Sequence, residues 1–99
     1  MKPVDYLPSF RGDLEEIWLH IAHENIAAAD QLVDDLYERC LMLQAHPHAG
    51  LIRGDIAPDC RQLVFGGYVV LYRIRTSRIE LVRVLHGRRN IAAKHFDPP

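Results

Sequence analysis

The hydrophobic period of this chain changes once, at Cys60. Upstream, apolar side chains recur at three- and four-residue intervals, which gathers them on one face of a helix; downstream they follow a period of two, the repeat of a strand. A chain built this way makes a helix pair first and an antiparallel sheet afterwards. The expected fold class is therefore α+β, with an N-terminal strand, a two-helix antiparallel hairpin and a three-stranded antiparallel sheet.

In the first part, Val4 to Leu7 reads as a short strand, and Pro8-Ser9 as a helix entry with Ser9 as N-cap. Phe10, Leu14, Ile17, Trp18, Ile21 and Ala22 form the apolar stripe of the first helix and leave Asp13, Glu15, Glu16 and His20 toward water. Gly12 weakens its first turn. Asn25 ends this helix or caps the next, whose stripe is Ala29, Leu32, Val33, Leu36, Cys40 and Leu43, with Asp30, Asp34, Asp35 and Glu38 outside. The second helix should stop at His46-Pro47, because proline disfavours a helical residue before it, and Gly50, Gly54 and Pro58 then mark an irregular connection.

The strands expected after it are Cys60 to Phe65, Tyr68 to Arg75 and Ile79 to Leu85, joined at Gly66-Gly67 and at Thr76-Ser77-Arg78. Alternation places Val82 and Val84 on one face of the last strand and Leu81, Arg83 and Leu85 on the other. Both faces are apolar. One must cover the helix pair, and the other calls for a partner or for the chain's own tail. Trp18 and Tyr72 fall on periodic apolar positions and are expected in the core, while residues 90–99 should form a turn of helix or a loose tail.

At 99 residues the chain is expected to be one domain, 1–99, burying roughly 60 to 65% of its unfolded surface. No apolar run reaches the ~20 residues of a membrane span, and the N-terminus lacks the apolar stretch and cleavage site of a secretory signal, so the expected compartment is the cytoplasm. Cys40 lies on a helix stripe and Cys60 opens a strand with no C-x-x-C spacing, which points to free core thiols. His20 with His23, and His46 with His48, lack a Cys or acidic partner at a familiar ligand spacing, so neither a metal nor a cofactor is expected.

Charge divides the chain at the same boundary. The first 59 residues carry four Lys and Arg against eleven Asp and Glu, a formal −7, and the remainder carries eight against two, a formal +6. The basic part ends in Arg83-Val-Leu-His86-Gly87-Arg88-Arg89-Asn90. Such a cluster at the end of a strand either grips an anionic surface or an acidic partner, since Arg is always charged and presents fixed donors, or it is a solvated face.

The element order and the pieces Asp13-Leu14-Glu15-Glu16-Ile17-Trp18, Asn25-Ile-Ala-Ala-Ala-Asp30, Leu43-Gln-Ala-His-Pro-His-Ala-Gly50, Cys60-Arg61-Gln-Leu-Val-Phe-Gly66, Tyr68-Val-Val-Leu-Tyr72-Arg73 and Val84-Leu-His86-Gly87-Arg88-Arg89 resemble the RelE/ParE family of toxins from type II toxin-antitoxin pairs. The resemblance covers nearly the whole chain. It implies a toxin neutralised by a cognate antitoxin, in a complex that binds operator DNA through the antitoxin. Within the family, RelE-like members are ribosome-dependent mRNA endoribonucleases and ParE-like members inhibit DNA gyrase.

Cutting RNA beside a 2′-hydroxyl needs cations for the charged phosphate and groups that move protons. RelE-like nucleases place Lys on the strand that here reads Arg61-Gln62-Leu63-Val64, where this chain has Gln62 and Val64 at those places, and an Arg after the Tyr of the next strand, where it has Val69. Their later Arg is matched by Arg89, and the Tyr six residues on is His95. The sequence is therefore closer to ParE, with a gyrase inhibitor that is not an enzyme as the expected function. The alternatives are a RelE-like nuclease using Arg61, Arg89 and His95, or a non-toxic corepressor that only binds antitoxin. Arg61, Arg73, Arg83, His86, Arg88 and Arg89 are the candidates for contact with target or antitoxin, and His86 either takes part directly or only ties down the turn that follows it. Gly87 is expected to permit an unusual backbone.

Overall fold

A computed structural model describes residues 1–96. The elements run β1 (Val4–Tyr6), α1 (Pro8–Ala22), α2 (Ile26–Leu41), β2 (Leu51–Ile52), β3 (Arg61–Phe65), β4 (Tyr68–Ile74) and β5 (Ile79–His86), with single 3-10 turns at Met42–Gln44 and Ala93–His95. The N-cap of α1 is Leu7 and not Ser9. Pro8 takes the first helical position, where its fixed φ suits the helix and its missing N–H costs nothing. Ser9, displaced into the first turn, donates its hydroxyl to the Val82 carbonyl at 2.6 Å. Asn25 caps α2, its side-chain oxygen accepting from the Ala28 N–H at 3.0 Å.

The strands form one mixed sheet of five, in the order β1-β5-β4-β3-β2. The three antiparallel strands expected from the sequence are its centre. β1 joins the far side parallel to β5, pairing Val4 with Ile79 and Tyr6 with Leu81, and the two-residue β2 lies antiparallel on β3. Two residues with exposed side chains carry no readable period, which is why β2 lies in what the sequence presents as an irregular connection.

A bulge corrects the expected alternation. Leu71 pairs with Arg83 but the next residue, Tyr72, pairs with Leu81, so β5 supplies one residue more than β4. One extra residue reverses which side chains point inward. Leu81 and Val84 thus face the helices together, while Val82 and Leu85 face the other way.

The first core joins Phe10, Leu14, Leu36, Cys40 and Leu43 from the helical region to Leu63, Val70, Tyr72, Ile79, Leu81 and Val84 of the sheet. The second covers the opposite face. There Ile56 from the β2–β3 loop and Phe96 from the tail close over Val69, Leu71, Val82 and Leu85, so the chain itself supplies the cover that the sequence left open between tail and partner. Each such large apolar side chain contributes about 1.5–3 kcal/mol by leaving water. Trp18 is not part of either core; half-buried, it donates its indole N–H to Asp30 at 2.8 Å and ties α1 to α2. Cys40 and Cys60 are free and buried, and burial pushes their thiols up to about 12 and about 11. Among the described residues no helix is long and apolar enough to cross a membrane.

Candidate functional site

Folding cancels much of the charge segregation seen along the sequence. Glu80 of β5 is buried, and three arginines converge on its carboxylate: Arg73 at 2.6 Å, Arg78 at 2.7 Å and Arg75 at 3.2 Å. Burial alone would raise the Glu80 pKa, but the bonds from the three guanidinium groups outweigh it and hold the carboxyl at about 2. Arg78 also reaches Asp5 and Arg75 reaches Asp59, both at 3.7 Å. Glu80, with Asp5 and Asp59 of the first half, therefore neutralises this end of the sheet.

Arg83, next to the bulge, makes a two-pronged pair with Asp13 of α1 at 2.6 and 2.9 Å, and the same carboxylate accepts the Val84 N–H at 3.1 Å. The bond to Asp13 raises the Arg83 pKa. Asp13 is thus not a water-facing helix residue but the anchor between α1 and β5. The partner lies 70 residues away, so no local signal marks it. Arg61 spends its guanidinium on the Gly50 carbonyl at 2.9 Å and the His48 carbonyl at 3.5 Å. Of the six candidate contact residues, Arg61, Arg73 and Arg83 are bonded within the molecule.

The other three stand together where β5 ends. The Gly87 N–H donates to the Gly67 carbonyl at 2.7 Å, docking the turn after β5 against the β3–β4 turn. A Cβ at Gly87 would come within 3.0 Å of that oxygen, so a close approach of two backbones, and not a positive φ, explains this glycine. The positive φ belongs to Gly66 at 55°, in the hairpin turn itself. His86 stands edge-on to Tyr68 with ring centroids 5.5 Å apart, and its Nδ1 and carbonyl accept the N–H groups of Arg88 and Arg89 at 3.4 and 3.0 Å. This is the turn-holding geometry. Arg88 and Arg89 are exposed, and among the described residues no ion pair includes either.

The residues that a nuclease would need stand in three different segments. Arg61 is bonded to the 48–50 loop, Arg89 sits in the turn after β5, and the His95 Nδ1 accepts the Ala92 N–H at 3.0 Å to close its own 3-10 turn. Among the described residues no group of three His, Cys, Asp or Glu side chains is placed to hold a metal ion.

A family model described as the ParE toxin of the type II toxin-antitoxin system, parDE, matches residues 4–91. The chain belongs to the ParE toxin family. It is 30% identical over 87 residues to Toxin ParE3 of Caulobacter vibrioides, with 84% of each chain covered, and 29% identical over 94 residues to Toxin ParE1 of the same organism, covering 94% of this chain and 97% of that one. Its fold is similar to a chain of the chromosomal ParDE TA system from P. aeruginosa, with a TM-score of 0.75 at 21% identity over 87% of this chain and 96% of that one. As a ParE-family protein it is the toxin component of a type II toxin-antitoxin system, and the family implies a cognate antitoxin as its partner.

Proposed function

We propose that this ParE-family toxin arrests growth by binding DNA gyrase without catalysing a reaction, through the turn that carries Arg88 and Arg89. It acts in the cytoplasm as one domain spanning 1–99. A cognate antitoxin neutralises it, and the complex of the two binds operator DNA through the antitoxin. The observation that carries the proposal is the pair of exposed arginines held at a defined place by the Gly67–Gly87 bond, with no acidic partner among the described residues. That Arg61 and His95 are spent on bonds to separate backbone segments speaks for binding over RNA cleavage.

Replacing Arg88 and Arg89 together by Ala removes no core volume, so folding should be nearly unaffected. A contact with a charged group contributes roughly 1.5–3 kcal/mol, and losing two should weaken target engagement about a hundredfold or more. The purified wild-type chain is expected to inhibit DNA supercoiling by gyrase, and the double variant is not. Cleavage of messenger RNA in ribosome complexes, with supercoiling untouched, would overturn the proposal.

A further inference from the structure

The two docked turns leave a depression of about 630 Å³ at this end of the sheet, lined among others by Val64, Gly67, Tyr68, His86, Gly87 and Arg88. Its composition is mixed in a particular way. Val64 on β3 is a large apolar side chain at 52% exposure, its cross-strand partner Val69 lies on the same face of the sheet, and the two glycines bring bare backbone to the surface. Arg88 stands at its margin, with Arg89 next to it. We infer that this depression receives a protein segment in which a bulky apolar side chain sits beside a carboxylate: the apolar group against Val64 and Val69, the carboxylate on Arg88. This rests on the reading of the Arg88–Arg89 turn as a contact surface and adds the chemistry of what it contacts.

The charge distribution favours an acidic protein segment over nucleic acid. Glu15, Glu16, Glu24, Asp34, Asp35 and Glu38 are exposed on the helical hairpin, so a long polyphosphate would meet like charge beyond the two arginines, whereas a short segment with one carboxylate need not reach it. Two adjacent cations suit a single carboxylate pair better than a phosphate backbone, whose binding rises with each phosphate neutralised. An exposed valine beside them contributes nothing to phosphate and much to an apolar anchor.

The test uses the whole chain as bait for a phage-displayed random peptide library, with affinities of the enriched peptides measured on single variants. Peptides carrying Asp or Glu next to Leu, Ile, Phe or Trp are expected, with affinity falling roughly tenfold or more on Arg88→Ala and on Val64→Lys, and unchanged on Arg39→Ala, an exposed cation of α2. Val64→Lys separates the two chemistries, because it buries a charge under an apolar anchor but adds a cation for phosphate. Peptides without the pairing, or indifferent to both substitutions, would overturn the inference. So would a single-stranded DNA oligonucleotide that binds the wild type and binds Val64→Lys more tightly. Should the chain fail to inhibit supercoiling while the peptides behave as stated, the gyrase proposal falls and the docking chemistry stands.

Discussion

Glu80→Gln tests whether the three-arginine cluster stabilises the fold. The Glu80 side chain is 5% exposed and its carboxyl is held at about 2 against an ordinary 4.5, which corresponds to about 3 kcal/mol of native-state stabilisation. The amide keeps the shape but removes the charge. Arg75 and Arg78, at 44% and 46% exposure, recover hydration on losing it, whereas Arg73 at 19% does not, so most of the cost falls on one buried guanidinium. At neutral pH the variant should therefore lose about 3 kcal/mol, a fall in Tm of roughly 12 to 24 °C for a domain of this size. The pH dependence has a definite sign. Because the folded pKa is depressed, the contribution is complete above about pH 5 and disappears as pH falls toward 2. Thermal unfolding of both proteins from neutral pH to about pH 2 should show the gap closing over that interval. A variant within about 0.5 kcal/mol of wild type at neutral pH, or a gap that stays constant on acidification, would refute the reasoning.

Three further outcomes follow from the interior. Tyr72→Phe keeps the ring but strips the hydroxyl that donates to the Pro47 carbonyl at 2.7 Å and accepts the Gly50 N–H at 2.8 Å, so urea unfolding should show a loss of about 1–3 kcal/mol. Gly50→Ala would place a Cβ 2.6 Å from the Tyr72 hydroxyl and 2.8 Å from the Gln62 carbonyl; the same assay should show a loss of about 1–3 kcal/mol, and Tyr72→Phe should not fully rescue it because the carbonyl remains. Cys40 and Cys60, pushed up to about 12 and about 11 by burial, should resist a thiol-specific disulfide reagent at mildly alkaline pH in the folded protein and react at once in denaturant.

The sheet's centre and the helix pair were legible because they rest on local period. Phe10 and Leu14, or Leu36 and Cys40, fall on one helix face wherever the helix packs, and Tyr68 to Ile74 reads as a strand between two turn signals. The order of these pieces, with Val84 to Arg89 at the end, carried the resemblance to the family that the match over residues 4–91 then showed. Departures came where a distant residue decided the outcome. The bulge that sends Val82 and Val84 to opposite faces exists only in the pairing of β4 with β5. Trp18 sits at an apolar position and yet bridges to Asp30 across the hairpin.

For the candidate site, the sequence by itself determined that cations accumulate after Cys60 and that Gly87, Arg88 and Arg89 follow the last strand. It did not determine which of those cations remain available, because an ion pair depends on separation in space and not along the chain. Only the tertiary structure brought Asp13 to Arg83 and set Arg73, Arg75 and Arg78 around Glu80, leaving Arg88 and Arg89 exposed beside a turn that Gly67 holds in place. Composition places charge in a chain, whereas packing decides where that charge is satisfied, since a buried carboxylate must find partners and an exposed guanidinium need not.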